Sequence, residues 1–88
     1  MNSDEITALL RELRGKHTAS EMVRILEGAM GRKLTHFSAF LWFTRAFHEI
    51  GIDHLQDLGA WAEQGDSYMS AEDINALLRP WLDREVTR

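Results

Sequence analysis

The stretch THFSAFLWFTRAFHEI, residues 35–50, decides the fold. It holds every phenylalanine of the chain and one of the three tryptophans. At about 100° per residue, its large apolar side chains share one broad arc of a helix, while Ser38, Arg45 and Glu49 lie on the other side. The arc consists of Phe37, Phe40, Leu41, Phe43, Phe47 and Ile50. We therefore predict a central helix over residues 35–50 whose phenylalanines form the core.

Trp42 lies about 140° around this helix from Phe37, beside the polar side chains. It either packs against a flanking helix or loop, or stands exposed as an anchor for a partner, since tryptophan is enriched at binding hot spots. Thr44 lies within the apolar arc, where its hydroxyl can donate to the carbonyl four residues back. The sequence leaves both alternatives for Trp42 open.

Helix boundary signals on both sides of this stretch predict further helices. Side chains that can bond free backbone amides mark four starts: Ser3, Thr18 with Glu21, Asp53 with Gln56, and Ser70 with Asp73. Single glycines provide the stop signals, and Pro80 is expected to stop or kink the last helix because it lacks an amide donor. The predicted helices span about 3–14, 18–30, 35–50, 53–64 and 70–86.

These elements predict an all-α fold, a compact cluster or bundle of four to five short helices around the aromatic one. No stretch alternates with period two, and no Asn-Gly or Asp-Gly hairpin signal is present. A chain of 88 residues has room for one domain, so we expect residues 1–88 to form a single helical domain.

The composition excludes several classes of function. Without cysteine the chain has no disulfide, no thiolate zinc site and no cysteine nucleophile, which is compatible with a cytoplasmic location. The net charge of −4 disfavours nucleic acid as the main partner. The acidic start of the chain is unlike a signal peptide, and its longest apolar run is far shorter than the roughly 20 residues that span a bilayer.

The histidines and hydroxyl groups do not form a recognisable catalytic, cofactor or metal site. The four histidines, at 17, 36, 48 and 54, include no pair spaced four apart. His48, Asp53 and His54 flank the Gly51 break and could converge as a weak metal site or a pH-sensitive corner. Ser38, His48 and Asp53 contain the residue types of a catalytic triad, but no nucleophile-elbow pattern accompanies them. We therefore predict no enzyme activity, cofactor or metal.

Charge is divided unevenly along the chain. Residues 1–48 carry seven Lys and Arg against five Asp and Glu, a net +2, whereas residues 49–88 carry three against nine, a net −6. The excess of carboxylates in the second half predicts an acidic surface that also holds aromatic side chains. The candidate partner-binding residues are Trp42, Asp57, Trp61, Glu63, Asp66, Tyr68 and Met69.

An acidic surface of this kind suits a basic protein partner, with charge raising the association rate and aromatic side chains supplying affinity. The leading hypothesis is a small protein-binding module, in concrete form an immunity or antitoxin protein that masks a basic, nuclease-like partner. One alternative is a homo-oligomer, such as a homodimer, that pairs through an exposed apolar surface. Another is a DNA-associated regulator that uses the basic first half.

Overall fold

Five α-helices make up the part of the chain that the computed structural model describes, residues 2–82. They are α1 (Ser3–Leu13), α2 (Ala19–Met30), α3 (His36–Ala46), α4 (Ile52–Gln64) and α5 (Ala71–Leu82), with a 3₁₀ turn (Gly65–Ser67) after α4. The aromatic helix α3 packs mainly against α4 and α1, while α2 packs against α5 and α1. The predicted all-α fold, a cluster of short helices, is confirmed.

The first two helices begin with complete capping boxes. At α1 the cap is Asn2, one residue before the predicted Ser3, and its side chain and that of Glu5 bond each other's backbone amides at 2.9 and 3.0 Å. At α2 the predicted pair of Thr18 and Glu21 is confirmed. The bond from the Thr18 amide is the main reason that the pKa of Glu21 is lowered from its ordinary value.

The later helix starts give a mixed outcome. The Ser70 hydroxyl accepts from the Asp73 amide at 3.0 Å, as predicted for α5. The capping box predicted at Asp53 is wrong, because α4 begins one residue earlier with Gly51 as its N-cap and no side-chain cap bond. Gln56, the intended partner of Asp53, instead lies 3.2 Å from the His36 ring.

The central helix is shorter than predicted, since α3 ends at Ala46 rather than near residue 50. Its terminal carbonyls find partners outside the helix. The Arg11 guanidinium of α1 donates to the Ala46 carbonyl at 3.2 Å, and the His48 ring bonds the Arg45 carbonyl at 2.9 Å. The last carbonyls of a helix lack partners within the helix, and when other groups donate to them the helix can end without a glycine. Phe47 lies just after the end of α3, and its side chain is still buried.

The last helix continues through Pro80 to Leu82, so the expected stop at Pro80 is wrong, while the alternative, a kink there, stays a prediction. Arg14 holds its end, donating to the Trp81 carbonyl at 2.8 and 3.1 Å, and the Gly15 amide donates to the Leu82 carbonyl. These bonds replace partners that a helix terminus lacks. The predicted continuation to residue 86 lies outside the described residues.

The core lies between α3 and its neighbours. Phe43 and Phe47 are fully buried, with ring centroids 6.0 Å apart. The prediction that all four phenylalanines are core is wrong for Phe37, which is 69% exposed. Phe37 is the second residue of α3, and no other helix of residues 2–82 covers it. The bond predicted for the Thr44 hydroxyl is also wrong, because within residues 2–82 that buried oxygen has no partner. Within the same range, no helix has the length and apolar character needed to cross a membrane.

Candidate functional site

The stretch between Arg45 and Arg79 contains no lysine or arginine, and it builds α4, the 3₁₀ turn and most of α5. Its seven carboxylates are Glu49, Asp53, Asp57, Glu63, Asp66, Glu72 and Asp73. Positions near helix N-termini account for Asp53, Glu72 and Asp73, where a negative charge complements the helix dipole. Of the others, Glu63 accepts from the His36 amide at the start of α3 and Glu49 pairs with Arg14, so these two also have a structural role.

The solvent side of α4 carries much of this negative charge. On a helical wheel Ile52, Gln56 and Glu63 share one side of α4, and Asp53 and Asp57 lie next to them. The side chains on the opposite side are buried: Leu55, Leu58, Trp61 and Ala62. We define the acidic face as Asp53, Asp57 and Glu63. Among the described residues, no lysine or arginine forms an ion pair with any member of the acidic face.

Beside the acidic face is an open groove of about 500 Å³ between the start of α3 and the side of α4 that carries Gln56 and Glu63. We call it the α3–α4 groove. Its lining combines two phenylalanines with groups that accept hydrogen bonds: Thr35, His36, Phe37, Phe40, Gln56 and Glu63. The groove therefore offers aromatic surface and a carboxylate within the same concavity.

The groove has its shape because α3 starts directly against α4 at Gly59. A Cβ atom at Gly59 would lie 2.6 Å from the His36 ring and 2.7 Å from the His36 carbonyl oxygen, so only glycine allows this approach. Two further contacts fix His36. Its backbone amide donates to Glu63 at 2.7 Å, and its ring lies 3.2 Å from the Gln56 side-chain oxygen. With His36 held on α4, the next residue, Phe37, lies at the exposed rim.

Tyr68 lies over the part of the acidic face formed by Asp57. Its hydroxyl donates to the Asp57 carboxylate at 2.5 Å, and the side chain is 41% exposed. The hydrogen bond to a negative partner favours the neutral phenol and raises the pKa of Tyr68 above its ordinary value. Asp57 and Tyr68, both predicted for the partner surface, are therefore in direct contact.

The other predicted site residues are more scattered. Trp61 is only 3% exposed, so the expectation that it contributes to a surface is wrong. The spacing of α4 places its ring inward, and the Arg24 guanidinium lies 4.5 Å above it. Asp66 is exposed in a separate cleft beside Arg24, and Met69 packs half-buried against the core. Trp42 is also half-buried against the core, 5.5 Å from the Arg45 guanidinium.

Sequence reasoning missed two exposed apolar side chains. Phe37 was assigned to the core, and Ile52, now 61% exposed, was not singled out. A usable signal existed for both, because each lies in the first turn of its helix, where neighbouring helices often do not reach.

The corner predicted around Gly51 does not bring its histidines together on a ligand. The His54 ring packs edge-on against Trp81 at 4.7 Å, while His48 bonds the backbone of its own turn. Within residues 2–82, no three His, Asp or Glu side chains form a cluster that could hold a metal ion.

Comparison of the chain with protein-family models, with curated proteins and with solved structures gives no match. The function is therefore inferred from the geometry and charge of the acidic face and the α3–α4 groove.

Proposed function

We propose that this protein is a protein-binding module that docks a basic protein partner on its acidic face and α3–α4 groove. The observation that carries the proposal is Phe37, a 69% exposed aromatic side chain that shares the groove with the Glu63 carboxylate. Interfaces draw most of their affinity from a few aromatic or arginine anchors, while charge speeds association and selects the partner.

The exposed apolar side chains supply the expected affinity. Covering a phenylalanine or isoleucine side chain completely is worth about 1.5–3 kcal/mol, so Phe37 and Ile52 together can anchor an interface. Both belong to the α3–α4 pair, and on the wheel Ile52 lies on the same side of α4 as Glu63. A partner that covers both residues also meets the carboxylates of α4.

The acidic face argues for a different protein as partner rather than a second copy. A symmetric dimer places the same patch on both sides of its interface. Pairing two acidic faces would bring Asp53, Asp57 and Glu63 against their own copies, and like charges across an interface are unfavourable. A cationic partner reverses the sign of that interaction.

The narrower form of the proposal is an inhibitor of the immunity or antitoxin kind, acting in the cytoplasm and covering the cationic active site of a nuclease-like protein. Negative charge supports this form, since a site that binds phosphates is positive. The DNA-regulator alternative receives less support, because α3, the aromatic helix of the basic first half, packs between α1 and α4.

The experiment begins with the tagged full-length chain, recovered from its own cells, and with reconstitution of each retained complex from purified components. The dissociation constant is then measured for the wild type, Phe37→Ala, Glu63→Gln and a control, Glu12→Gln. The control makes the same charge change at an exposed residue of α1.

A basic partner whose binding weakens about 30-fold with Phe37→Ala supports the proposal, since a hot-spot residue contributes about 2 kcal/mol or more. Glu63→Gln should slow association and reduce its salt dependence, with Glu12→Gln close to the wild type. The proposal fails if the reconstituted partner is acidic, if Phe37 and Glu63 do not affect binding, or if the chain is a stable dimer that buries Phe37.

A further inference from the structure

Resting on the proposed function, we infer that the α3–α4 groove is a site for a single arginine side chain of the partner. The guanidinium group would lie against Phe37 and Phe40 and bond the Glu63 carboxylate. This assigns the groove the chemistry of arginine recognition, in preference to lysine or a purely apolar side chain.

The molecule already contains two clusters in which an arginine joins an aromatic ring and a glutamate. Arg14 lies 5.3 Å from the centre of the Phe47 ring, and its guanidinium bonds Glu49 at 2.5 Å. Such clusters combine a cation–π contact with an ion pair, the two interactions that a guanidinium makes best.

The second cluster has the same composition on another helix. Arg24 lies 4.5 Å from the centre of the Trp61 ring and bonds Glu27 at 2.9 Å. The α3–α4 groove provides the aromatic and carboxylate parts of the same arrangement in Phe37, Phe40 and Glu63. None of the six described residues that line the groove is a lysine or an arginine. An arginine from outside would complete it.

The hydrogen-bonding groups of the groove match a guanidinium. One Glu63 oxygen accepts from the His36 amide, which fixes the carboxylate in place and leaves the other oxygen for a ligand. Gln56 and Thr35 line the same groove. Although the Gln56 side-chain oxygen lies 3.2 Å from the His36 ring and the Thr35 hydroxyl bonds Ser38, each oxygen has a second lone pair that can accept. A guanidinium has five donors in one plane and is weakly hydrated, so it can stack on a phenylalanine while it bonds several acceptors. A lysine ammonium is strongly hydrated and gains less from the aromatic surface.

The test titrates the full-length, isotope-labelled protein with N-acetyl-arginine methylamide and follows the backbone amide signals by NMR. The corresponding lysine derivative tests whether the groove distinguishes a guanidinium from an ammonium group. The citrulline derivative, which has nearly the shape of arginine without its charge, tests the need for a cation. We expect the arginine probe to bind with a dissociation constant on the order of 1 mM and to shift signals of His36, Phe37, Gln56 and Glu63.

Glu63→Gln is the informative variant because its amide oxygen can still accept from the His36 backbone, so the local fold is kept while the charge is lost. We expect it to weaken the arginine probe about fivefold, with Glu12→Gln as the matched control. An unchanged unfolding midpoint shows that the loss is not structural. Phe37→Ala should weaken the probe by a similar factor.

The inference is overturned if citrulline or lysine binds as well as arginine, if the shifts lie in the cleft of Asp66, or if Glu63→Gln has no effect. Its failure is distinguishable from that of the proposed function. If the probe does not bind but a basic partner still depends on Phe37 and Glu63, only the arginine site is refuted. If the probe binds as expected and no basic partner depends on these residues, the arginine site stands and the proposed function falls.

Discussion

Replacing Gly59 by alanine puts a methyl group where α3 and α4 touch. The new Cβ would lie 2.7 Å from the His36 carbonyl oxygen and 2.6 Å from its ring, whereas ordinary contacts begin at 3.4 Å. The ring can turn away, but the carbonyl belongs to the backbone of α3. It must retreat by about 0.7 Å, the difference between 3.4 and 2.7 Å. That displacement also strains the bond between the His36 amide and Glu63.

The expected cost follows from two opposing effects. Forcing an extra carbon into a packed contact typically costs 1–3 kcal/mol. Alanine recovers about 1 kcal/mol because it favours a helix over glycine. We therefore expect Gly59→Ala to lower the free energy of unfolding by about 1 kcal/mol, and by about 2 kcal/mol at most.

Gly28→Ala is the matched control, since Gly28 is exposed near the end of α2 and nothing lies within 4 Å of an added Cβ. It should raise the free energy of unfolding by about 0.5–1 kcal/mol. Urea unfolding followed by far-ultraviolet circular dichroism measures the free energy of unfolding of both variants. The slope of that free energy against urea concentration should be the same for both variants and the wild type. If Gly59→Ala stabilises the protein as Gly28→Ala does, the close contact of α3 with α4 is refuted.

Three other predictions concern single side chains. Tyr68 is the only tyrosine, so its ionisation can be followed by near-ultraviolet absorbance, and Asp57→Ala should lower its pKa toward 10.0. Only the neutral phenol donates this hydrogen bond. The bond therefore stabilises the folded protein at pH values below the ordinary tyrosine pKa, and this stabilisation is lost as the pH rises through the raised pKa of Tyr68. Thr18→Ala should cost about 1 kcal/mol in urea unfolding by removing the α2 cap, and an unchanged midpoint would contradict the capping box. Phe43→Ala should cost about 3–5 kcal/mol and greatly lower the thermal midpoint, whereas Phe37→Ala should change it little; equal effects would refute their different burial.

The helices that the sequence predicts best are those whose boundaries depend on neighbouring residues. Thr18 and Glu21 are three residues apart, so the capping box at α2 can be recognised without knowing the rest of the fold. The end of α3 could not be recognised in this way. It depends on Arg11, which is 35 positions away from Ala46. Aromatic spacing continued past that end, because Phe47 is buried whether or not it is helical.

The candidate site was predictable in its charge but not in its anchors. The excess of carboxylates in the second half pointed to Glu63, and the structure shows that this residue is exposed. Trp61 was expected at the surface and is buried, whereas Phe37 was expected in the core and is exposed. A helical wheel gives the direction of a side chain, but burial also depends on how far the neighbouring helices extend. The contact of His36 with Gly59 joins two helices, so no local pattern could reveal the groove.

The most direct test of the acidic face and α3–α4 groove as a docking site is amide hydrogen exchange, measured on the free protein and on its complex with the reconstituted basic partner. Protection is expected to increase at the start of α3, along α4 and in the 3₁₀ turn, and to remain unchanged in α1 and around Arg32 and Lys33. Protection centred instead on α1 or on the turn containing Arg32 and Lys33, with α4 unaffected, would contradict the docking site.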